Sequence, residues 1–91
     1  MTYQYKPSFK RALKGLDPEG KAKVKEAIQG LVIFFETGER AEGLGLKKLK
    51  REFWEIRSDL RDRILFRFSR DVVEFALCGN YDEIRRRLKS V

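Results

Sequence analysis

Three runs in the second half of the chain, 52 to 58, 61 to 68 and 71 to 78, are separated only by Ser58-Asp59-Leu60 and Ser69-Arg70-Asp71. Each run reads as a strand, rich in aromatic, β-branched and alternating apolar residues. Gaps that short close hairpins and cannot hold a crossover helix, so consecutive runs must pair antiparallel, as a meander. Alternation then sorts the middle run into two faces. Ile64, Phe66 and Phe68 share one, and Arg63, Leu65 and Arg67 share the other.

A sheet with an apolar face needs a cover, and the first half of the chain supplies one. Asp17 can accept hydrogen bonds from a helix's first turn, Pro18 suits the first helical position, and Glu19 complements the positive helix end. Val24, Ile28, Leu31 and Phe35 then keep helical period, widened by Ala27, Val32 and Phe34, until Thr37-Gly38 stops it. This predicts an amphipathic helix from 18 to about 36. Before it, Pro7-Ser8 leads into Phe9, Ala12, Leu13 and Leu16, spaced for a short helix, and the tyrosine-alternating Thr2 to Lys6 suits a first strand. Gly38 to Lys50, with Gly38, Gly43 and Gly45 among charges, reads as a loop. Asn80 opens a last helix from Tyr81 to about Leu88. The expected fold is α+β, in the order β-α-α-β-β-β-α, as a single domain over 1–91. It has a small, mostly antiparallel sheet, the two N-terminal helices packed on one face, and a short C-terminal helix. The helical stripe should cover Ile64, Phe66 and Phe68, joined by Trp54 and Ile56, and leave the arginine face open.

Charge narrows the partners. Lys+Arg 21 against Asp+Glu 14 gives +7 on 91 residues, which favours polyanions: nucleic acid, an acidic protein segment or an acidic membrane surface. The lone Cys78 allows no internal disulfide, and no signal peptide or long apolar run is evident, so the expectation is a cytoplasmic protein that spans no membrane. There is no histidine, which excludes a histidine-pair ribonuclease mechanism. No metal or cofactor is expected.

The stretch GLKKLKREFWEIRSDLRDRIL concentrates the cations. Lys47, Lys48, Lys50 and Arg51 precede Arg57 on one strand and Arg61 and Arg63 on the next, so alternation could gather them into an always-charged anion site. Each has a plainer reading. The lysines could be a solvated loop, and Arg61 and Arg63 could pair with Asp59 and Asp62. Tyr81 could pack against the sheet edge. Arg85, Arg86 and Arg87 point in different directions on a helix, so they cannot all join one site. Trp54 is read as core and Cys78 as a buried small hydrophobe.

The ordered series PSFKRALKGLD, a long helix, GLGLKKLK, FWEIR, RILFRF, DVVEFALCGN and a closing helix resembles the RelE/ParE toxin superfamily, in its RelE-like or HigB-like branch, over nearly the whole chain. The resemblance implies a toxin of a type II toxin–antitoxin system. Such a toxin is a metal-independent endoribonuclease that cuts messenger RNA at the ribosome and stops translation. It is held by an acidic antitoxin in a hetero-oligomer that can bind its own operator. By position in the series, Arg63 corresponds to the arginine at the scissile phosphate, Arg57 to a further arginine, and Lys47, Lys48 and Lys50 to the lysines before the second strand. The catalytic set implied is Arg63, Arg57, Lys50 and Tyr81, with Lys47, Lys48, Arg51, Arg61 and Arg85 on RNA. Where many members carry an arginine or histidine followed by a tyrosine on the last helix, this chain has Gly79-Asn80-Tyr81-Asp82-Glu83-Ile84-Arg85. That departure leaves the general acid and base unassigned. A gyrase inhibitor of the ParE kind, without nuclease activity, and a basic nucleic-acid-binding module without catalysis are the alternatives.

Overall fold

The computed structural model describes residues 1–90. Its elements run β1 (Thr2–Tyr5), α1 (Pro7–Lys14), α2 (Pro18–Thr37), β2 (Lys47–Lys48), β3 (Phe53–Arg57), β4 (Asp62–Ser69), β5 (Val72–Asn80) and α3 (Tyr81–Lys89). The strands form one five-stranded sheet in the order β1-β5-β4-β3-β2. The β3-β4-β5 meander is antiparallel as the short gaps require, β2 joins it antiparallel, and β1 lies parallel to β5.

Local chemistry sets the helix limits. Asp17 accepts from the Gly20 amide at 2.7 Å, Pro18 occupies the first turn, and Gly38 closes α2 in the left-handed conformation at φ 79. The Gly38 amide donates to the Phe34 carbonyl, which would otherwise be an orphan of the last turn. Phe9 of α1 and Val24, Ala27 and Leu31 of α2 then bury against Ile56, Ile64, Phe66, Val73, Phe75 and Cys78 of the sheet. This is the face expected to carry the main core.

The opposite face departs from expectation. Leu65 is fully buried, with 0% of its surface exposed, in a second cluster with Phe53, Ala76 and Ile84, flanked by Leu49, Leu77 and Leu88. Helix α3 therefore folds back over the face that carries Arg63, and the arginine face is not open along its length. A bulge makes the fit possible. Pairing jumps from Leu65↔Leu77 to Phe66↔Phe75, leaving Ala76 without a partner, so both Ala76 and Leu77 join the α3 side. One apolar residue among arginines gave the sequence too little alternation to announce a second buried face.

The expected 38–50 loop also contains a strand. Lys47 pairs with Glu55 and Lys48 with Trp54, and the Leu49 amide donates to the Phe53 carbonyl at 2.9 Å. The tight return passes through Arg51 at φ 60. Two lysines have no apolar pattern for periodicity to detect. No helix among the described residues is long and apolar enough to cross a membrane.

Candidate functional site

Asn80 ends β5 and starts α3. Its side chain accepts from the Glu83 amide at 2.9 Å, while the Glu83 carboxylate accepts from the Asn80 amide at 3.0 Å. This reciprocal cap fixes where α3 leaves the sheet. It also needs Gly79, because a Cβ there would lie 2.8 Å from Glu83 Oε1. With the helix start fixed, Tyr81 stands at its first position and Arg85 one turn later on the same side. The Arg85 guanidinium donates to Tyr81 Oη and lies 5.2 Å from the Tyr81 ring centroid.

Facing that pair across a cleft of about 340 Å³ are Lys47 and Lys50, with Glu55 on its floor. Leu49, Ile84 and Leu88 form the apolar part of its wall, and Lys89 stands at its edge. The strand register explains the composition. Lys47 sits directly opposite Glu55, so both project to the α3 side, whereas Lys48 pairs with Trp54 and projects to the other face. Lys48 Nζ lies 6.0 Å from the Trp54 ring. Lys47, Lys50, Arg85 and Lys89 against Glu55 leave the cleft net positive, with the Tyr81 phenol at its mouth, 47% exposed.

Arg63 enters this arrangement from behind. Its side chain keeps only 14% exposure, its Nε lies 3.5 Å from Glu55 Oε2, and its Nη1 donates to the carbonyls of Asp59, Leu60 and Asp62 at 3.1 to 3.2 Å. The expectation of a strand arginine standing open to a phosphate is thus corrected. Most of this guanidinium is committed to closing the β3–β4 turn and to holding Glu55. The turn's acid, Asp59, pairs with neither arginine. It sits 3.2 Å from Lys23 of α2, and the Leu60 amide and then Lys23 hold its carboxyl below the ordinary range. The Lys23 ammonium is pushed up in turn, chiefly by its hydrogen bond to Asp59.

Several expected members lie elsewhere. Arg57 lines a separate cavity of about 290 Å³ between α2 and the 41–44 segment, with Lys23, Gly30, Leu44 and Ser58. Gly45 is pressed against it, since a Cβ there would come within 3.1 Å of Arg57 Cβ. Arg51 is in the β2–β3 turn, Arg61 is exposed in the β3–β4 turn, and neither lines the cleft. The structure therefore brings together Lys47, Lys50, Tyr81 and Arg85, sets Arg63 behind them, and leaves Lys48, Arg51, Arg57 and Arg61 outside. Glu55 is the residue that sequence reasoning passed over. The signal was present: a carboxylate inside FWEIR alternates with Trp54 and Ile56 and shares the strand face of Phe53, where a buried neighbour was to be expected. No group of His, Cys, Asp and Glu among the described residues is placed to hold a metal ion.

No protein-family profile and no curated protein sequence matches the chain. Solved structures do. A chain of the RelB–RelE antitoxin–toxin complex from Methanococcus jannaschii superposes with a TM-score of 0.69 at 17% identity, over 92% of this chain and 96% of that one. A chain of the Escherichia coli DinJ–YafQ complex gives 0.72 at 12% identity, over 90% and 94%. The Staphylococcus aureus YoeB dimer gives 0.67 at 15% identity, over 89% and 97%. Identities this low speak to the fold, and on fold the agreement spans nearly the full length of both partners.

Proposed function

We propose, from the RelE/ParE toxin fold that this chain adopts and the cationic cleft it carries, that it is the toxin of a type II toxin–antitoxin pair and acts as a messenger RNA endoribonuclease on the ribosome. The observation that carries the reading is the cleft between α3 and the β2–β3 hairpin, where Lys47, Lys50, Tyr81 and Arg85 surround Glu55. RNA can be cut by its own 2′-hydroxyl if that proton is removed, the added negative charge on phosphorus is met by fixed donors, and the leaving 5′-oxygen is protonated. On this reading Lys47, Lys50 and Arg85 supply charge for the phosphate, and the Tyr81 hydroxyl, which Arg85 hydrogen-bonds at the cleft, is the donor to the leaving oxygen. The partner that silences it is an acidic antitoxin, in line with the antitoxin–toxin complexes among the structures it resembles, and the pair would bind its own operator.

Expression of the chain alone tests this. Growth should stop, and primer extension on the induced cells should find new 5′ ends inside reading frames. Tyr81→Phe should abolish most of those ends in a soluble, folded protein. Intact messages with altered DNA supercoiling would replace this reading with gyrase inhibition. Binding of RNA without either effect would leave a non-catalytic module.

A further inference from the structure

Resting on the endoribonuclease reading above, we propose that Glu55 is the general base of the cleft, taking the proton of the attacking 2′-hydroxyl. Glu55 is only 8% exposed, and while its backbone is paired in the sheet, its carboxylate makes no hydrogen bond among the described residues. Its one ionic contact is the 3.5 Å approach of Arg63 Nε to Oε2, too long for a full hydrogen bond. A carboxylate so nearly buried normally has its lone pairs filled by donors. This one instead lines a cleft, so its remaining acceptor capacity faces the space a ligand would enter.

The groups around it fit the role. Lys47 from β2, Lys50 from the β2–β3 turn, Arg63 from β4, and Tyr81, Arg85 and Lys89 from α3 are the charged and titratable neighbours, and Glu55 is the acid among them. The cations that attract the phosphate bring the ribose to the same place as the carboxylate. The proton balance is complete within the cleft. The O2′–H bond breaks and its proton passes to Glu55, the O2′–P bond forms, and the P–O5′ bond breaks. The 5′-oxygen leaves with a proton from Tyr81 or a cleft lysine. The products are a 2′,3′-cyclic phosphate and a 5′-hydroxyl end, with no oxidant, metal or cofactor consumed. Arg63 is a positioning residue here: its carbonyl bonds to the β3–β4 turn fix the guanidinium that steadies Glu55.

The full-length chain would be assayed in single turnover on messenger RNA bound to programmed ribosomes, as wild type, Glu55→Gln and Glu55→Asp. Removing a general base should slow cleavage about 100- to 10,000-fold in Glu55→Gln, with affinity for the programmed ribosome unchanged or tighter. The acid limb of the wild-type pH–rate profile should vanish in Glu55→Gln and persist, at a lower rate, in Glu55→Asp. Should the glutamine variant fail to fold, the aspartate variant alone decides: wild-type rate and an unaltered profile would overturn the assignment. A folded Glu55→Gln protein that cleaves within a few-fold of wild type with the same profile would equally overturn it while leaving the endoribonuclease reading intact. If the wild type itself cuts no message, the endoribonuclease reading falls first and takes this assignment with it.

Discussion

Arg63 Nε lies 3.5 Å from Glu55 Oε2 beneath the cleft, and both side chains are largely buried. Arg63 projects from the strand face that alternation assigned, but its surroundings turn it into a brace. Removing it strands a buried carboxylate and releases three carbonyls of the 59–62 turn. Arg63→Ala should therefore lower stability by about 3 kcal/mol, at the lower end of the cost of breaking a buried ion pair. Glu55→Gln in the Arg63→Ala background should recover part of that loss, because the unpaired charge is gone. Denaturant melts of the single variants and the double variant check this, and equal stability of wild type and Arg63→Ala would show that the brace carries no weight. Cys78 makes a second prediction at this scale. Burial, then Asp62 and Glu83, push its thiol up to about 11. A raised thiol pKa favours the folded state below the unfolded value near 9 and loses that advantage as pH climbs towards 11. Stability should fall over that window by roughly 2 kcal/mol more in wild type than in Cys78→Ala. Burial also pushes the Tyr3 phenol up, so the difference between the two proteins, not the wild-type curve alone, reports on the thiol. Folded protein at neutral pH should resist alkylation at Cys78.

At the scale of elements, what the sequence announced by pattern the structure contains: α2 with its Asp17 cap and Gly38 stop, the β3-β4-β5 meander, and α3 opening at Asn80. What it hid depends on long-range placement. The β2 strand is two lysines held by an edge pairing and a left-handed turn. The covering of Leu65 by α3 needs the Ala76 bulge, the Gly79 approach and the Ile84 anchor together, and none of these is a periodic signal. The same docking decides which cations share a site, so the cleft was legible in its residue types and not in its membership. Helix α3 is thus the element on which site assembly turns. Asn80→Ala should cost about 1 kcal/mol by removing a cap, and Ile84→Ala about 2 to 4 kcal/mol by opening a cavity under the helix. If the chain is the endoribonuclease proposed above, both should reduce RNA cleavage through misplacement of Tyr81 and Arg85. Hydrogen exchange should localise the Asn80→Ala effect to α3, and uniform loss of protection across α2 would contradict a local hinge.

For the molecule as a whole, the net charge of +7 includes a local cluster of cations beside α3. Lys47, Lys50, Arg85 and Lys89 gather at one cleft, whereas Lys23, Arg63 and Arg67 are each within 4.0 Å of an acid. An acidic antitoxin segment should accordingly be drawn towards the cleft more than to the surface at large, and should order itself as it docks. Attraction between exposed charges is screened within roughly 10 Å at 0.1 M salt, so it acts on the approach of the partner. Apolar contact formed after docking is not screened and sets how long the complex lasts. Association rates should then fall steeply between about 50 and 500 mM salt while dissociation rates change little. Neutralising Lys47, Lys50 and Lys89 together should flatten the salt dependence of association, and neutralising Arg51, Arg61 and Arg70, which lie outside the cleft, should do so much less. Stopped-flow measurements on both triple variants decide between a focused and a diffuse field. Equal flattening by the two sets would mean that net charge alone, and not its concentration at α3, guides the partner in.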